Sequence, residues 1–143
     1  MRPSIPLVAL TLALSPLMVV HPVRVSGHSM EPALTDGDLR WALRTWASHR
    51  PRRGEIWVVE GPQGSSVKRV VGVPGDSVTW HGPDLWINGQ WLGEPWVVHP
   101  EHNGAGQQAC GDGYLVLGDN RPESQDGRAW GPVAMKAMRG RIL

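Results

Sequence analysis

Phenylalanine is absent from this chain, tyrosine and cysteine occur once each, and the charges nearly cancel. The single cysteine, Cys110, excludes an intrachain disulfide. A net charge of +1 over 143 residues gives no basic face of the kind that nucleic acid requires, so we expect no nucleic-acid partner. Glycine and proline are plentiful instead, with 18 and 13 residues, and they favour turns and short strands over long helices.

Apolar and alternating segments separated by turn residues predict one domain of short antiparallel strands. The turn at 61–65 should pair the strand 55–60 with the valine-rich run around Lys68, and Asn88-Gly89 is a strong hairpin signal. The glycine-rich stretch 95–113 predicts a mobile loop. Further strands are expected at 23–25, 39–43, 76–80, 84–87, 90–92, 114–117 and 138–142.

The N-terminus carries a run without charges, residues 5–20, between Arg2 and Arg24. As a helix it would be about 24–27 Å long, slightly under the roughly 30 Å of a bilayer core. We expect a membrane anchor over residues 1–22; a cleaved secretory signal and a buried segment are the alternatives. With Arg2 on the cytoplasmic side, the domain that follows would lie outside the cell.

The stretch 26–34 holds Ser26 and Ser29 close to glycine, followed by a proline that stops any long helix. A serine hydroxyl is a weak nucleophile until a base takes its proton. Lys68 can be that base, because burial in the valine run would lower its pKa. His28 is a poorer candidate, since adjacent residues on a turn usually point in different directions. We therefore expect Ser29 and Lys68 to be the reacting pair.

Four segments resemble the type I signal peptidases, and they occur in that family's order. They are GHSMEP at 27–32, RGEIWVV at 53–59, VKRVVGVPGD at 67–76, and LGDNRPESQDGRAWG at 117–131. The resemblance implies a mostly β fold, in which short twisted antiparallel strands form the signal-peptidase catalytic core behind one N-terminal transmembrane helix. The expected domains are the anchor, 1–22, and an extracytoplasmic catalytic domain, 23–143, with a reduced insertion around 81–113.

The same resemblance implies a membrane-bound serine endopeptidase that removes N-terminal signal peptides from exported preproteins. Ser29 would attack the scissile carbonyl and Lys68 would carry the proton. Ser124 matches the family position whose hydroxyl bonds the lysine amine, while Asp126 and Arg128 match a bracing pair.

Gly27 occupies a position at which some members of the family carry a hydroxyl that helps hold the oxyanion. The oxyanion would then depend on the backbone amide of Ser29, with other backbone donors as a further source. The resemblance further implies a monomer in the plasma membrane, single-pass, whose partners are preproteins and membrane lipid, and no cofactor. His99 and His102 have a spacing compatible with a metal, but no HExxH motif or cysteine cluster supports one, and no metal is assigned.

Three other functions are compatible with parts of the sequence. A self-cleaving repressor of the SOS type also joins serine to lysine, but it carries a DNA-binding domain and lacks the 118–130 segment. A peptidase dedicated to maturing one pilin or conjugation protein would share every motif. An inactive membrane-tethered binding module would keep the fold without the reaction.

Overall fold

The computed structural model describes residues 18–143, so nearly all of the expected anchor, 1–22, lies outside the described residues. Within the described part of the chain, no helix is long and apolar enough to cross a membrane. The first strand of this described part begins at Val20, so the last three residues of the expected anchor range belong to a sheet.

Short strands dominate residues 18–143, as the glycine and proline content predicts. In chain order they are β1 (Val20–Arg24), β2 (Leu39–Arg44), β3 (Ile56–Gly61), β4 (Gly64–Gly72), β5 (Ser77–His81), β6 (Asp84–Ile87), β7 (Gln90–Trp91), β8 (Ala105–Ala109), β9 (Leu115–Leu117) and β10 (Met138–Ile142). One α-helical turn, α1 (Gly127–Trp130), and four short 3₁₀ turns at Thr45–Ala47, Pro100–Asn103, Arg121–Glu123 and Met135–Ala137 complete the described elements.

The larger sheet has the strand order β1-β2-β10-β3-β4-β9, and all its ladders are antiparallel. The expected hairpin is present: β3 pairs β4 across the turn at Pro62 and Gln63, with Trp57 opposite Lys68. Beyond Val67, β4 also pairs β9, where Arg69 lies opposite Leu117. The 69–72 part of β4 therefore lies between two strands, whereas Lys68 is paired on the β3 side alone.

The smaller sheet has the order β7-β6-β5-β8. Asn88 and Gly89 join β6 to β7, and both have positive φ, at 52° and 79°, as a primed hairpin turn demands. The prediction of a mobile loop at 95–113 is wrong, because β8 lies within this stretch. It pairs with β5, from Ser77 opposite Ala109 to His81 opposite Ala105. The alanine, glycine and glutamine of β8 have weak strand propensity, and pairing with β5 compensates for it.

Among residues 18–143, three apolar clusters hold these layers together. The first joins the small sheet to the β4–β9 end of the large one, around Val78, Leu85 and Leu115. The second packs Trp57, Val70 and Val116 with Met138. The third is small, Val25, Met30 and Leu34, and it lies under the turn that carries Ser29. Each cluster thus fixes a different part of the chain relative to β4.

Gly72 lies where the first cluster meets β4, and a methyl group there should overpack the core. An added Cβ would lie 2.5 Å from the Cys110 sulfur and 2.9 Å from the Val78 methyl. We expect Gly72→Ala to lower the free energy of unfolding by about 1–3 kcal/mol, measured by urea denaturation.

Gly93→Ala is the matched control, since its methyl group would meet only the ring of the exposed Trp91, at 3.2 Å. Its effect should stay within about 0.5 kcal/mol. Equal destabilisation by the two variants would contradict the packing account.

Candidate active site

Ser29 lies on a turn that two sets of contacts hold in place. Beneath it, Met30 and Leu34 are buried, and the Leu34 amide donates to the Met30 carbonyl at 3.0 Å. From the side, Asn120 donates its backbone amide to the Ser29 carbonyl at 2.9 Å and its side-chain amide to the His28 carbonyl at 3.1 Å. The Ser29 hydroxyl is left half-buried at the open side of the turn.

Lys68 reaches this hydroxyl from the centre of β4. Its Nζ atom lies 2.8 Å from Ser29 Oγ, although the two residues are 39 positions apart in the chain. Only 4% of the lysine is exposed. Burial lowers its pKa below the ordinary lysine value, and the negative charge of Asp126 opposes part of that shift. The arrangement brings a desolvated amine into contact with an alcohol.

His28 takes no part in this contact. Its Nδ1 lies 2.8 Å from Glu31 Oε1, and both side chains are at the surface. The hydrogen bond and the charge of Glu31 raise the pKa of His28. The expectation that His28 points away from Ser29 is therefore met.

Asp126 and Arg128 form a close pair behind the lysine. The Asp126 carboxylate caps α1, accepting from the Arg128 amide at 3.1 Å, and the guanidinium donates to it from Nε at 2.9 Å and Nη2 at 3.0 Å. Burial would raise the pKa of Asp126, but the bonds from Arg128, Ser124 and the Gly118 amide outweigh burial and lower it. The carboxylate stays ionised, with its charge balanced by Arg128.

Ser124 lies beside this pair, with a different partner from the expected one. Its hydroxyl donates to Asp126 Oδ2 at 2.6 Å, and within residues 18–143 no hydrogen bond joins it to Lys68. The bond to an ionised carboxylate is a strong one, and it fixes the direction of the hydroxyl hydrogen. Gly118 packs against Ser124, and a Cβ on Gly118 would also come within 2.7 Å of the Ser29 carbonyl. Glycine is thus required where the two walls of the site meet.

Gly27 precedes the nucleophile with a positive φ of 85°, and its amide donates to the Asp36 carboxylate at 2.8 Å. That bond holds the turn in place, but glycine has no side chain, so this position supplies no hydroxyl to an oxyanion. In the described part of the chain, the Ser29 amide donates to no protein acceptor. It is therefore available to a developing oxyanion.

A groove of about 300 Å³ runs beside the pair. One wall is the turn 26–29 and the other is the end of the β3–β4 hairpin, 61–66. Among the described residues, the 64–68 part of β4 pairs only with β3, so its other edge faces the groove unpaired. The remaining lining residues are Lys68, Glu123, Gln125 and Trp130.

Two buried ion pairs were not anticipated. Arg69 donates to Asp119 from Nε at 2.8 Å and from Nη2 at 2.6 Å, and its guanidinium lies over the Trp96 ring at 4.7 Å. Arg121 donates to Glu94 at 2.6 Å. Asp119 and Arg121 fall inside the 117–131 motif, which was the available signal, whereas nothing in the sequence marked Glu94.

The sequence is similar to that of known proteins along most of its length. The sequence profile of the family described as signal peptidase, peptidase S26, matches residues 2–143. Signal peptidase I P of Bacillus subtilis subsp. natto is 35% identical over 121 residues, covering 75% of this chain and 65% of that protein. Signal peptidase I V of Bacillus subtilis strain 168 is 32% identical over 138 residues, covering 83% and 81%.

A solved structure is similar as well. The crystal structure of a signal peptidase I from Enterococcus faecalis V583 matches with a TM-score of 0.60 at 27% identity, covering 66% of this chain and 98% of that chain. Signal peptidase IB of Staphylococcus aureus is 30% identical over 146 residues, covering 87% of this chain and 76% of that protein. These matches, along nearly the whole sequence, show that this chain belongs to the type I signal peptidases of peptidase family S26.

Proposed function

We propose that this protein is a membrane-bound serine endopeptidase that removes N-terminal signal peptides from exported preproteins. The observation that supports it most is the 2.8 Å contact between the buried Lys68 amine and the Ser29 hydroxyl. Hydrogen-bond reach between nucleophile and base is the first requirement of the reaction. Family membership supplies the reaction class, cleavage of a peptide bond.

In the proposed mechanism, neutral Lys68 takes the Ser29 proton as the oxygen attacks the scissile carbonyl. The Ser29 amide stabilises the oxyanion of the tetrahedral intermediate. The lysine then gives its proton to the leaving amine, which departs and leaves an acyl-enzyme on Ser29. A water molecule deprotonated by the same amine attacks the ester and releases the signal peptide.

The Asp126–Arg128 pair sets the charge that Lys68 experiences. A lone carboxylate near the lysine would favour the ammonium form, which cannot accept a proton from Ser29. Arg128 offsets that charge, and it is held by the carbonyls of Arg121 and Ser124 at 2.9 Å and 3.2 Å. Ser124 and the Gly118 amide orient the carboxylate, so these residues act on the lysine through Asp126.

The substrate should lie in the groove as an extended strand. The unpaired edge of β4 at 64–68 offers backbone donors and acceptors to such a peptide, which is strand addition to a sheet edge. Small side chains at the first and third positions before the cut would be chosen by the shape of the pockets. The uncharged composition of the hairpin wall, 61–66, agrees with selection by shape.

The membrane tether is part of the proposal. The uncharged run 5–20 is the expected single-pass anchor, with the catalytic domain on the extracytoplasmic face of the plasma membrane. The catalytic domain then starts close to Val20, where β1 begins. Its partners are membrane lipid and preproteins, and the protein acts as a monomer.

Replacing either member of the pair should abolish cleavage. Ser29→Ala removes the nucleophile, and Lys68→Met removes the amine while keeping an apolar stem. Each should lower the kcat/KM for a preprotein by at least about 10³-fold, measured in detergent by gel-based processing.

Lys136→Ala is the matched control, because Lys136 is the only other lysine and it lies outside the groove. It should process preprotein at the wild-type rate. Processing at the wild-type rate by Ser29→Ala and Lys68→Met would refute the assignment of these two residues as the reacting pair, whereas no processing by the wild type would leave the binding module as the better account.

The pH dependence of kcat/KM should report the protonation state of the Lys68 amine. Only the neutral amine accepts a proton, so activity should rise with pH through the lysine pKa, which burial places below the ordinary value. Asp126→Asn removes the charge that favours the ammonium form and should move this rise to lower pH. Arg128→Met leaves the carboxylate unbalanced and should move it to higher pH.

If the pH at which kcat/KM rises moves in opposite directions in the two variants, Asp126 and Arg128 have an electrostatic role, because simple loss of structure would not reverse the direction. Removing one partner of a buried pair destabilises proteins by about 3–5 kcal/mol, so circular dichroism must first identify conditions in which each variant is folded. The double variant Asp126→Asn/Arg128→Met loses both charges and should have its rise between those of the single variants. Displacement of both single variants in one direction would contradict the proposed roles.

A further inference from the structure

A second group of chemically capable side chains lies away from the serine and lysine. The nitrogen and oxygen ligand atoms of His99, Glu101 and His102 all lie within 4.8 Å of one another. His99 Nδ1 is 3.0 Å from Glu101 Oε1, and His102 Nδ1 is 3.4 Å from the same oxygen. The proposed peptidase reaction uses none of the three.

The backbone accounts for this convergence. His99 has φ 54° and ψ 60°, the left-handed region that residues other than glycine rarely adopt, and it starts the 3₁₀ turn Pro100–Asn103. That conformation folds the His99 ring back over the turn, where it meets the His102 ring edge-on at a centroid distance of 5.7 Å. Two imidazoles and one carboxylate consequently face the same point.

We propose that His99, Glu101 and His102 form a surface site for Zn²⁺. Zinc binds histidine nitrogen and carboxylate oxygen at about 2.0–2.2 Å in tetrahedral geometry, which places neighbouring ligand atoms roughly 3.3 Å apart. The two contacts to Glu101 already have that separation. All three side chains are between 53% and 58% exposed, so small rotations bring the two imidazoles into range. Water takes the fourth position.

The donor set decides the kind of cation. Imidazole favours zinc, copper and nickel, whereas magnesium prefers oxygen ligands and keeps its water. Two nitrogen donors and a single carboxylate therefore select a borderline divalent ion. Magnesium provides a negative control that needs no mutation.

Both ends of the turn are bonded to the segment that forms the back of the peptidase site. The Val98 amide donates to the Asp119 carbonyl at 3.0 Å. At the other end, Arg128 Nη1 donates to the His102 carbonyl at 3.1 Å. A cation held by residues 99–102 would consequently stabilise the fold of the 117–131 segment that this turn contacts, without touching Ser29 or Lys68.

The test is titration of the full-length protein in detergent with ZnCl₂, using isothermal calorimetry. We expect one saturable site, and no such site with MgCl₂. His99→Ala, His102→Ala and Glu101→Gln should each weaken zinc binding by at least about tenfold. His102→Ala keeps the backbone carbonyl that Arg128 uses, and all three positions are exposed, so each variant should fold.

His81→Ala is the matched control, because His81 is another exposed histidine, at the end of β5 in the small sheet. It should bind zinc as the wild type does. Zinc should also raise the melting temperature of the wild type and of His81→Ala, but not that of His99→Ala/His102→Ala. The proposal is refuted if no one-to-one binding occurs, or if the double variant binds zinc as tightly as the wild type.

Discussion

The burial of one lysine amine is the constraint on which the rest of this structure depends. An ammonium group is costly to remove from water, so a buried amine tends toward its neutral form. Lys68 lies opposite Trp57 of β3, one residue before the part of β4 that also pairs with β9. The turn that carries Ser29 then covers the amine, supported by the small cluster of Val25, Met30 and Leu34.

The 117–131 segment, next to the lysine, contains buried charged residues. Asp119, Arg121 and Asp126 are each at most 2% exposed, and each is bonded to a partner of opposite charge. Buried ions are tolerated when their charges and hydrogen bonds are satisfied, as they are here. Asn120, in the same segment, holds the backbone of the nucleophile turn.

Much of the fold could be read from local patterns. The β3–β4 hairpin followed from alternation around a turn, and the Asn88-Gly89 hairpin from residues that tolerate positive φ. The strand β8 could not be predicted, because its alanine, glycine and glutamine become a strand only through pairing with β5. The hydrogen bond from Ser124 to Asp126 was not predicted either, since it depends on where the two side chains lie in the folded protein.

By itself, the sequence determined which chemical groups are available and where the chain turns, since both depend on residue type and on neighbours in the chain. It pointed to Ser29 and Lys68, to the 117–131 segment and to a β-rich domain. Only the tertiary structure decided that Lys68 Nζ lies 2.8 Å from Ser29 Oγ, and that Asp126 is shared by Ser124 and Arg128. The distance between two residues 39 positions apart is set by how the turn that carries one packs against the strand that carries the other, and that packing exists only in the folded chain.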